Sequence, residues 1–296
     1  MKKVVFTGSG VAIVTPMNAD GSIHYPELEK LIHFQVNNKT DAIIICGTTG
    51  ESSTLTDEEH VELIRFAVEK VDGRVPVVAG VGSNDTAYAV WLSEEAEKAG
   101  ADALLHVTPY YNKTSQSGLV RHFTAVADST DLPVILYNVP SRTGLDIKPA
   151  TYAELAKHPK IVATKEANGN LSAMAQTAAL CGDDLAIYSG NDDQIVTTMS
   201  LGGLGVISVA ANIVPKVIHD MAQAFLDGDV KKSRQLQLDY LALIDALFAD
   251  VNPTPVKEAL NMMGYAAGPT RLPLAPIESA AGALLATALK KYGLIG

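Results

Sequence analysis

The chain is poor in cysteine: Cys46 and Cys181 are the only two among 296 residues. Two are too few for a disulfide framework, so a reduced, cytoplasmic setting is expected. No block of lysine or arginine occurs, and 23 basic residues face 33 acidic ones for a net charge of -10. That balance argues against a nucleic-acid partner. Every helix-length segment carries charge, so no membrane span is expected. The apolar stretch Val4-Val5-Phe6 stops at Thr7-Gly8-Ser9-Gly10, far short of a signal-peptide core. The histidines, His24, His33, His60, His106, His122, His158 and His219, form no i, i+4 pair and no H-x-x-E-H arrangement. No metal is expected from them.

What is present is repetition. Eight short apolar runs recur: Gly10–Thr15, Ala42–Cys46, Val75–Val81, Ala103–Thr108, Pro133–Val139, Ile161–Ala167, Leu185–Ser189 and Gly205–Ala210. Many are β-branched without clean alternation, as in strands buried on both faces of a parallel sheet. Helical signals lie between them. Thr56 and Glu59 make a capping box ahead of Val61, Ile64, Val68 and Val71, and Asp85–Ala99 stops at Gly100, suited to a C-terminal cap. Leu119, Phe123 and Val126 mark another apolar face. Eight β-then-α units favour an α/β fold closed as a (β/α)8 TIM barrel over an open doubly wound sheet. The first unit also lacks the G-x-G-x-x-G turn of dinucleotide folds, and Gly8-Ser9-Gly10 is read as preceding its strand. After Ala210, Val214–Leu226, Asp229–Asp250, Thr254–Met263 and Ile277–Tyr292 read as helices. Residues 1–228 would then be the barrel and 229–296 a C-terminal helical appendage.

In such a barrel, functional groups gather where strands end and βα loops begin. The second strand ends in Cys46-Gly47-Thr48-Thr49-Gly50-Glu51, the fourth in Pro109-Tyr110-Tyr111-Asn112, and the fifth in Tyr137-Asn138-Val139-Pro140-Ser141-Arg142-Thr143-Gly144. The sixth carries Lys165-Glu166. An ammonium among Ile161, Val162, Ala163 and Ala167 is costly to desolvate, and burial favours the neutral amine that attacks a ketone. Taken from this segment alone, the commoner fate of such a lysine is a strand end, paired with a carboxylate and facing water. Thr48 and Thr49 between two glycines suit a small carboxylate, or an ordinary glycine loop with capping threonines. Tyr111 and Tyr137 suit proton relay, or packing of the rim. Arg142 suits a second carboxylate, or plain surface exposure. Asp192-Asp193 reads as a helix cap before a magnesium site. Gly202-Gly203 with Gly205 fits a phosphate site or tight packing equally.

Together, these segments resemble the signature segments of the dihydrodipicolinate synthase family, in family order and spacing. Gly205-Val206-Ile207-Ser208-Val209 and Asn252-Pro253-Thr254-Pro255-Val256-Lys257 extend the likeness into the appendage. The resemblance implies that Lys165 forms a Schiff base with pyruvate. It implies a proton relay of Thr48, Tyr137 and Tyr111, with Tyr111 contributed by a neighbouring subunit of a homotetramer, a dimer of dimers. Thr48 and Thr49 would hold the pyruvate carboxylate, Gly190 and Ile207 would line the pocket, and Arg142 would bind L-aspartate-4-semialdehyde. No cofactor is implied, and the product would enter the diaminopimelate route to lysine. Nearby alternatives are N-acetylneuraminate or 2-keto-3-deoxy sugar-acid lyases, against which Ser141-Arg142-Thr143-Gly144 argues, and a noncatalytic keto-acid-binding barrel. Ser52, His60, Asn84 and Tyr110 match the family's inhibitory lysine site. Asp57 stands where sensitive members often have histidine, and Tyr88 where they have glutamate, so weak or absent inhibition by lysine is expected.

Overall fold

The computed structural model describes residues 2–296. Chain order alternates strand and helix: Gly8–Ala12 (β1), Tyr25–Asn37 (α1), Ala42–Ile45 (β2), Asp57–Val71 (α2), Val77–Gly80 (β3), Thr86–Lys98 (α3), Ala103–Val107 (β4) and Gln116–Asp128 (α4). Then come Val134–Asn138 (β5), the short Pro140–Thr143 (α5), Pro149–Leu155 (α6), Ile161–Glu166 (β6), Leu171–Cys181 (α7), Ala186–Ser189 (β7), Ile195–Ser200 (α8), Gly205–Ser208 (β8) and Pro215–Leu226 (α9). Three more helices follow, Val230–Leu247 (α10), Thr254–Met262 (α11) and Ser279–Lys291 (α12). The strands form one closed parallel barrel in the order β1 to β8.

Local signals account for several of these elements. Thr56 and Glu59 do form a reciprocal capping box at α2, which buries Leu63, Ile64, Ala67 and Val71. Asp85 caps α3 through the Ala87 N–H, and Gly100 follows that helix at φ 91°. The first strand differs from its expected Gly10–Thr15 span. Its ladder to β8 opens with Gly8 opposite Gly205, and a Cβ on Gly205 would lie 1.9 Å from the Gly8 carbonyl oxygen. Close backbone approach sets that strand's start, and it also accounts for Gly205 as a packing residue.

Two apolar layers hold the barrel. Inside it lie Ala42, Ile44, Leu105, Ile135, Tyr137 and Ile207; between strands and helices lie Val11, Ile43, Ile45, Leu63 and Ile64. Leu243, Ile244, Leu247, Val256, Leu260 and Leu285 of the appendage join that outer layer. The two interleave along each strand, since neighbouring side chains point to opposite faces. One strand breaks the alternation. Val134 pairs with Ile161 but Ile135 pairs with Ala163, so β6 carries one extra residue at Val162. Ile161 faces the helices, whereas Val162 and Ala163 both reach the interior. The shift inverts the phase of everything downstream. It turns Lys165 inward, beside Tyr137 on the adjacent strand.

Candidate active site

Lys165 is 5% exposed. Its Nζ lies 4.3 Å from the centre of the Tyr137 ring, and among the described residues it makes no salt bridge. A surface lysine paired with a carboxylate would look otherwise. Across the ladder, Lys165 is flanked by Tyr137 and Tyr188. Tyr188 is spent on structure: its ring stacks on Phe6 at 4.4 Å and its hydroxyl donates to the Phe6 carbonyl at 2.6 Å. Ile207 is fully buried in the same interior layer. Gly190 donates its N–H to the Glu166 carbonyl at 2.7 Å, bringing the loop after β7 against the end of β6.

Behind Lys165, on the helix-facing side of β6, Glu166 is buried. It accepts from the Tyr152 hydroxyl at 2.8 Å, from Asn138 Nδ2 at 3.0 Å and from the Asn168 N–H at 2.9 Å. Burial raises its pKa to about 7, against the lowering effect of the hydrogen bonds from Tyr152, Asn138 and Asn168. Asn138 also donates to Asp146 at 2.8 Å, so one polar network locks the ends of β5 and β6 together.

Opposite stands the loop after β2. Cys46 and Glu51 both have left-handed backbone, at φ 55° and 58°, and Gly50 and Glu51 donate N–H groups back to Gly47 and Thr48. The neighbouring β3 must yield here, since a Cβ on Gly80 would lie 2.4 Å from the Cys46 carbonyl oxygen. Thr48 and Tyr137 line one recess together with Gly47, Ser52 and Leu105. Thr48 also borders a larger cavity of about 360 Å³ that includes Arg142, Val139 and Thr143. Thr49 is buried. Arg142 is solvent-exposed.

The appendage fastens this loop. Lys257 Nζ donates to Glu51 Oε1 at 2.8 Å, both side chains being buried, and also to the Pro269 carbonyl at 2.5 Å. The second Glu51 oxygen accepts the Arg271 N–H at 2.8 Å. The Arg271 guanidinium pairs with Glu59 at 2.5 Å and reaches the Thr54 carbonyl at 2.7 Å. Asn252 Nδ2 donates to Thr49 Oγ1 at 3.0 Å. Sequence reading assigned none of these roles. Their advance signal was the Asn252–Lys257 segment, which stood out for its family likeness and not for any contact.

Tyr111 is 92% exposed with φ 67°, held out from the rim. Ser52, His60, Tyr88 and Tyr110 line the 360 Å³ cavity, while Asn84 lines a second cavity with Thr86 and Asn112. His60 bonds the Gly80 carbonyl at 2.8 Å, and burial lowers its pKa. Tyr88 donates to Asp57 Oδ1 at 2.7 Å. Asp192 does not cap the turn that it opens; it accepts the Val209 and Ala210 N–H groups and so pins the end of β8. No group of three or more His, Cys, Asp or Glu side chains placed to hold a metal occurs among the described residues. No described helix is long and apolar enough to cross a membrane.

A closed parallel (β/α)8 barrel with a lysine buried on its sixth strand against a tyrosine ring has the architecture of a barrel enzyme. Residues 5–292 match the model of the dihydrodipicolinate synthetase family, to which this chain belongs. The 4-hydroxy-tetrahydrodipicolinate synthase of Lachnoclostridium phytofermentans is 59% identical over 98% of this chain and 99% of its own. That of Caldicellulosiruptor bescii is 54% identical over 98% of both. Among solved structures, dihydrodipicolinate synthase from Aquifex aeolicus superposes with a TM-score of 0.95 at 43% identity, over 98% of this chain and 99% of that one.

Proposed function

We propose that the protein is a 4-hydroxy-tetrahydrodipicolinate synthase, condensing pyruvate with L-aspartate-4-semialdehyde on the diaminopimelate route to L-lysine. The observation that carries this reading is the buried Lys165 amine, which makes no salt bridge among the described residues and lies against the Tyr137 ring. The amine adds to the pyruvate ketone and, with loss of one water, gives an iminium. That cation is an electron sink: it acidifies the pyruvate methyl, which loses a proton to become an enamine. The enamine carbon attacks the aldehyde, whose oxygen takes up a proton. The amino group of the second substrate then adds to the iminium carbon and expels Lys165, closing the ring and restoring the free amine. Tyr137, Thr48 and Tyr111 carry the protons. Thr48 and Thr49 hold the pyruvate carboxylate, Gly190 and Ile207 shape the pocket around it, and Arg142 holds the carboxylate of the semialdehyde.

Tyr111 serves a neighbouring subunit in this reading, which accords with its exposure and strained backbone. The assembly is a homotetramer, a dimer of dimers in the cytoplasm, and the chain divides functionally into the barrel, 1–228, and the appendage, 229–296. The test is pyruvate followed by borohydride, read by mass spectrometry, with a coupled assay offering aspartate semialdehyde or sugar aldehydes. Wild type should gain one pyruvyl adduct on Lys165 and consume the semialdehyde. Lys165→Ala should stay folded and gain none. Adduct formation at wild-type stoichiometry in that variant would move the nucleophile elsewhere, and turnover of sugar aldehydes alone would make the protein a different lyase.

A further inference from the structure

We infer that Asn252, in the turn between α10 and α11, is a positioning residue that aims the Thr49 hydroxyl at the keto-acid carboxylate and ties that group to Arg142. The inference rests on the function proposed above and names a residue of the appendage as part of its specificity.

Asn252 is 6% exposed. Its side-chain amide donates to Thr49 Oγ1 at 3.0 Å across 203 residues of sequence. Its backbone carbonyl accepts from Arg142 Nη2 at 3.2 Å across 110 residues. One residue therefore touches both groups assigned to the two substrate carboxylates. A threonine hydroxyl has a single proton and two lone pairs. Where one lone pair accepts from an amide N–H, the proton is kept for a different acceptor. With Thr49 buried, that acceptor is an anion entering the loop. An oxygen in place of the amide nitrogen would reverse the bond, drawing the proton toward residue 252 and leaving only lone pairs for the carboxylate. Asn252 Oδ1 is itself buried without a hydrogen-bond partner, so an acid here would bring an uncompensated charge beside the anion site. The Arg142 contact uses the main chain and survives side-chain changes. The two halves of the role are separable for that reason.

The experiment is the pyruvate concentration dependence of borohydride trapping on Lys165, which needs no second substrate, alongside steady-state kinetics with the semialdehyde. Trapping of wild type comes first; its failure would sink the proposed function and not this inference alone. Asn252→Ala should raise the pyruvate KM about tenfold, the loss typical of one hydrogen bond to a charged group. The semialdehyde KM and kcat should change little. Asn252→Asp, nearly isosteric, should be worse than Asn252→Ala for pyruvate. The effect of Asn252→Ala should persist beside Thr49→Ser, which keeps the hydroxyl, and vanish beside Thr49→Val, which lacks it. A residue that merely supported the fold would lower kcat or the active fraction with no such selectivity. A wild-type pyruvate dependence in both Asn252 variants would overturn the inference. So would Asn252→Asp matching Asn252→Ala, or a further loss in the Thr49→Val background. If Asn252→Ala fails to fold, the isosteric Asp variant decides the matter on the pyruvate dependence alone.

Discussion

The two walls of the site are built in different ways. Lys165 and Tyr137 come from adjacent strands, paired in the ladder, and the groups that brace them, Asn138, Tyr152 and Glu166, lie within 28 residues of one another. The Thr48–Glu51 loop has no ladder of its own. Its supports are Lys257 and Arg271, 206 and 220 residues away from Glu51. Sheet register places Lys165, whereas the Lys257 ammonium and the Arg271 backbone N–H, both from outside the barrel, place the loop. The first arrangement tolerates changes in the appendage, whereas the second depends on them.

The sharpest way to break this contrast is to remove the cation from the loop side. Lys257→Met leaves Glu51 buried with the Arg271 N–H as its remaining partner, and breaking a buried pair typically costs about 3–5 kcal/mol. Denaturant melts should show a loss of that order. The fraction still folded should keep borohydride trapping at saturating pyruvate while requiring more pyruvate to reach it. A melt within 1 kcal/mol of wild type would mean, at roughly that scale, that Glu51 finds another partner.

On the strand side the expected effect is somewhat smaller and depends on pH. Burial raises the Glu166 carboxyl from an ordinary 4.5 to about 7. The folded protein therefore holds that proton more tightly than the unfolded chain. The resulting stability is fully present below pH 4.5 and is lost as pH rises through about 7. The span corresponds to roughly 3 kcal/mol. Glu166→Gln should lack this slope, so that it appears in the wild-type-minus-variant difference, measured by denaturant melts between acid and neutral pH. Parallel stability curves would show that Glu166 does not titrate in this window.

The smallest expected effect concerns the cavity shared by Ser52, His60 and Tyr110. Tyr88 stands in its wall, and Asp57 is occupied by the Tyr88 hydroxyl. Asp57 is not among the residues that line the cavity, so neither of those two positions puts a carboxylate in its wall for an ammonium. Loss of such a charge-assisted bond weakens binding about ten- to a hundredfold. L-lysine should inhibit weakly or not at all in initial-rate assays, and Tyr88→Glu should increase sensitivity. Saturable inhibition of wild type at low lysine, abolished in His60→Ala, would contradict this.

The contrast also explains what was legible in the sequence. Buried strands show as apolar runs, and capping groups sit three residues from what they cap, so β2 through β8 and α2 could be read directly. The strand-end rule led to Thr48, Tyr137, Arg142 and Lys165. The extra residue at Val162 was not legible, because Ile161, Val162 and Ala163 are all apolar and suit either face. Asp192 looked like a helix cap because its true partners, the N–H groups of Val209 and Ala210, lie a whole βα unit downstream. The Glu51–Lys257 pair was hidden for the same reason at greater distance. A side chain whose partner is 206 residues away leaves no local pattern.

That distance also has a consequence in time. During synthesis the Thr48–Glu51 loop leaves the ribosome long before Lys257 exists, a lag of about 10–40 s for 206 intervening residues at about 5–20 residues per second. Throughout it, the Glu51 carboxylate has no Lys257 ammonium to meet. All eight strands are complete by Ser208, so collapse of the barrel can precede completion of its rim. Every strand of the barrel is thus made before the residues that brace its rim loop.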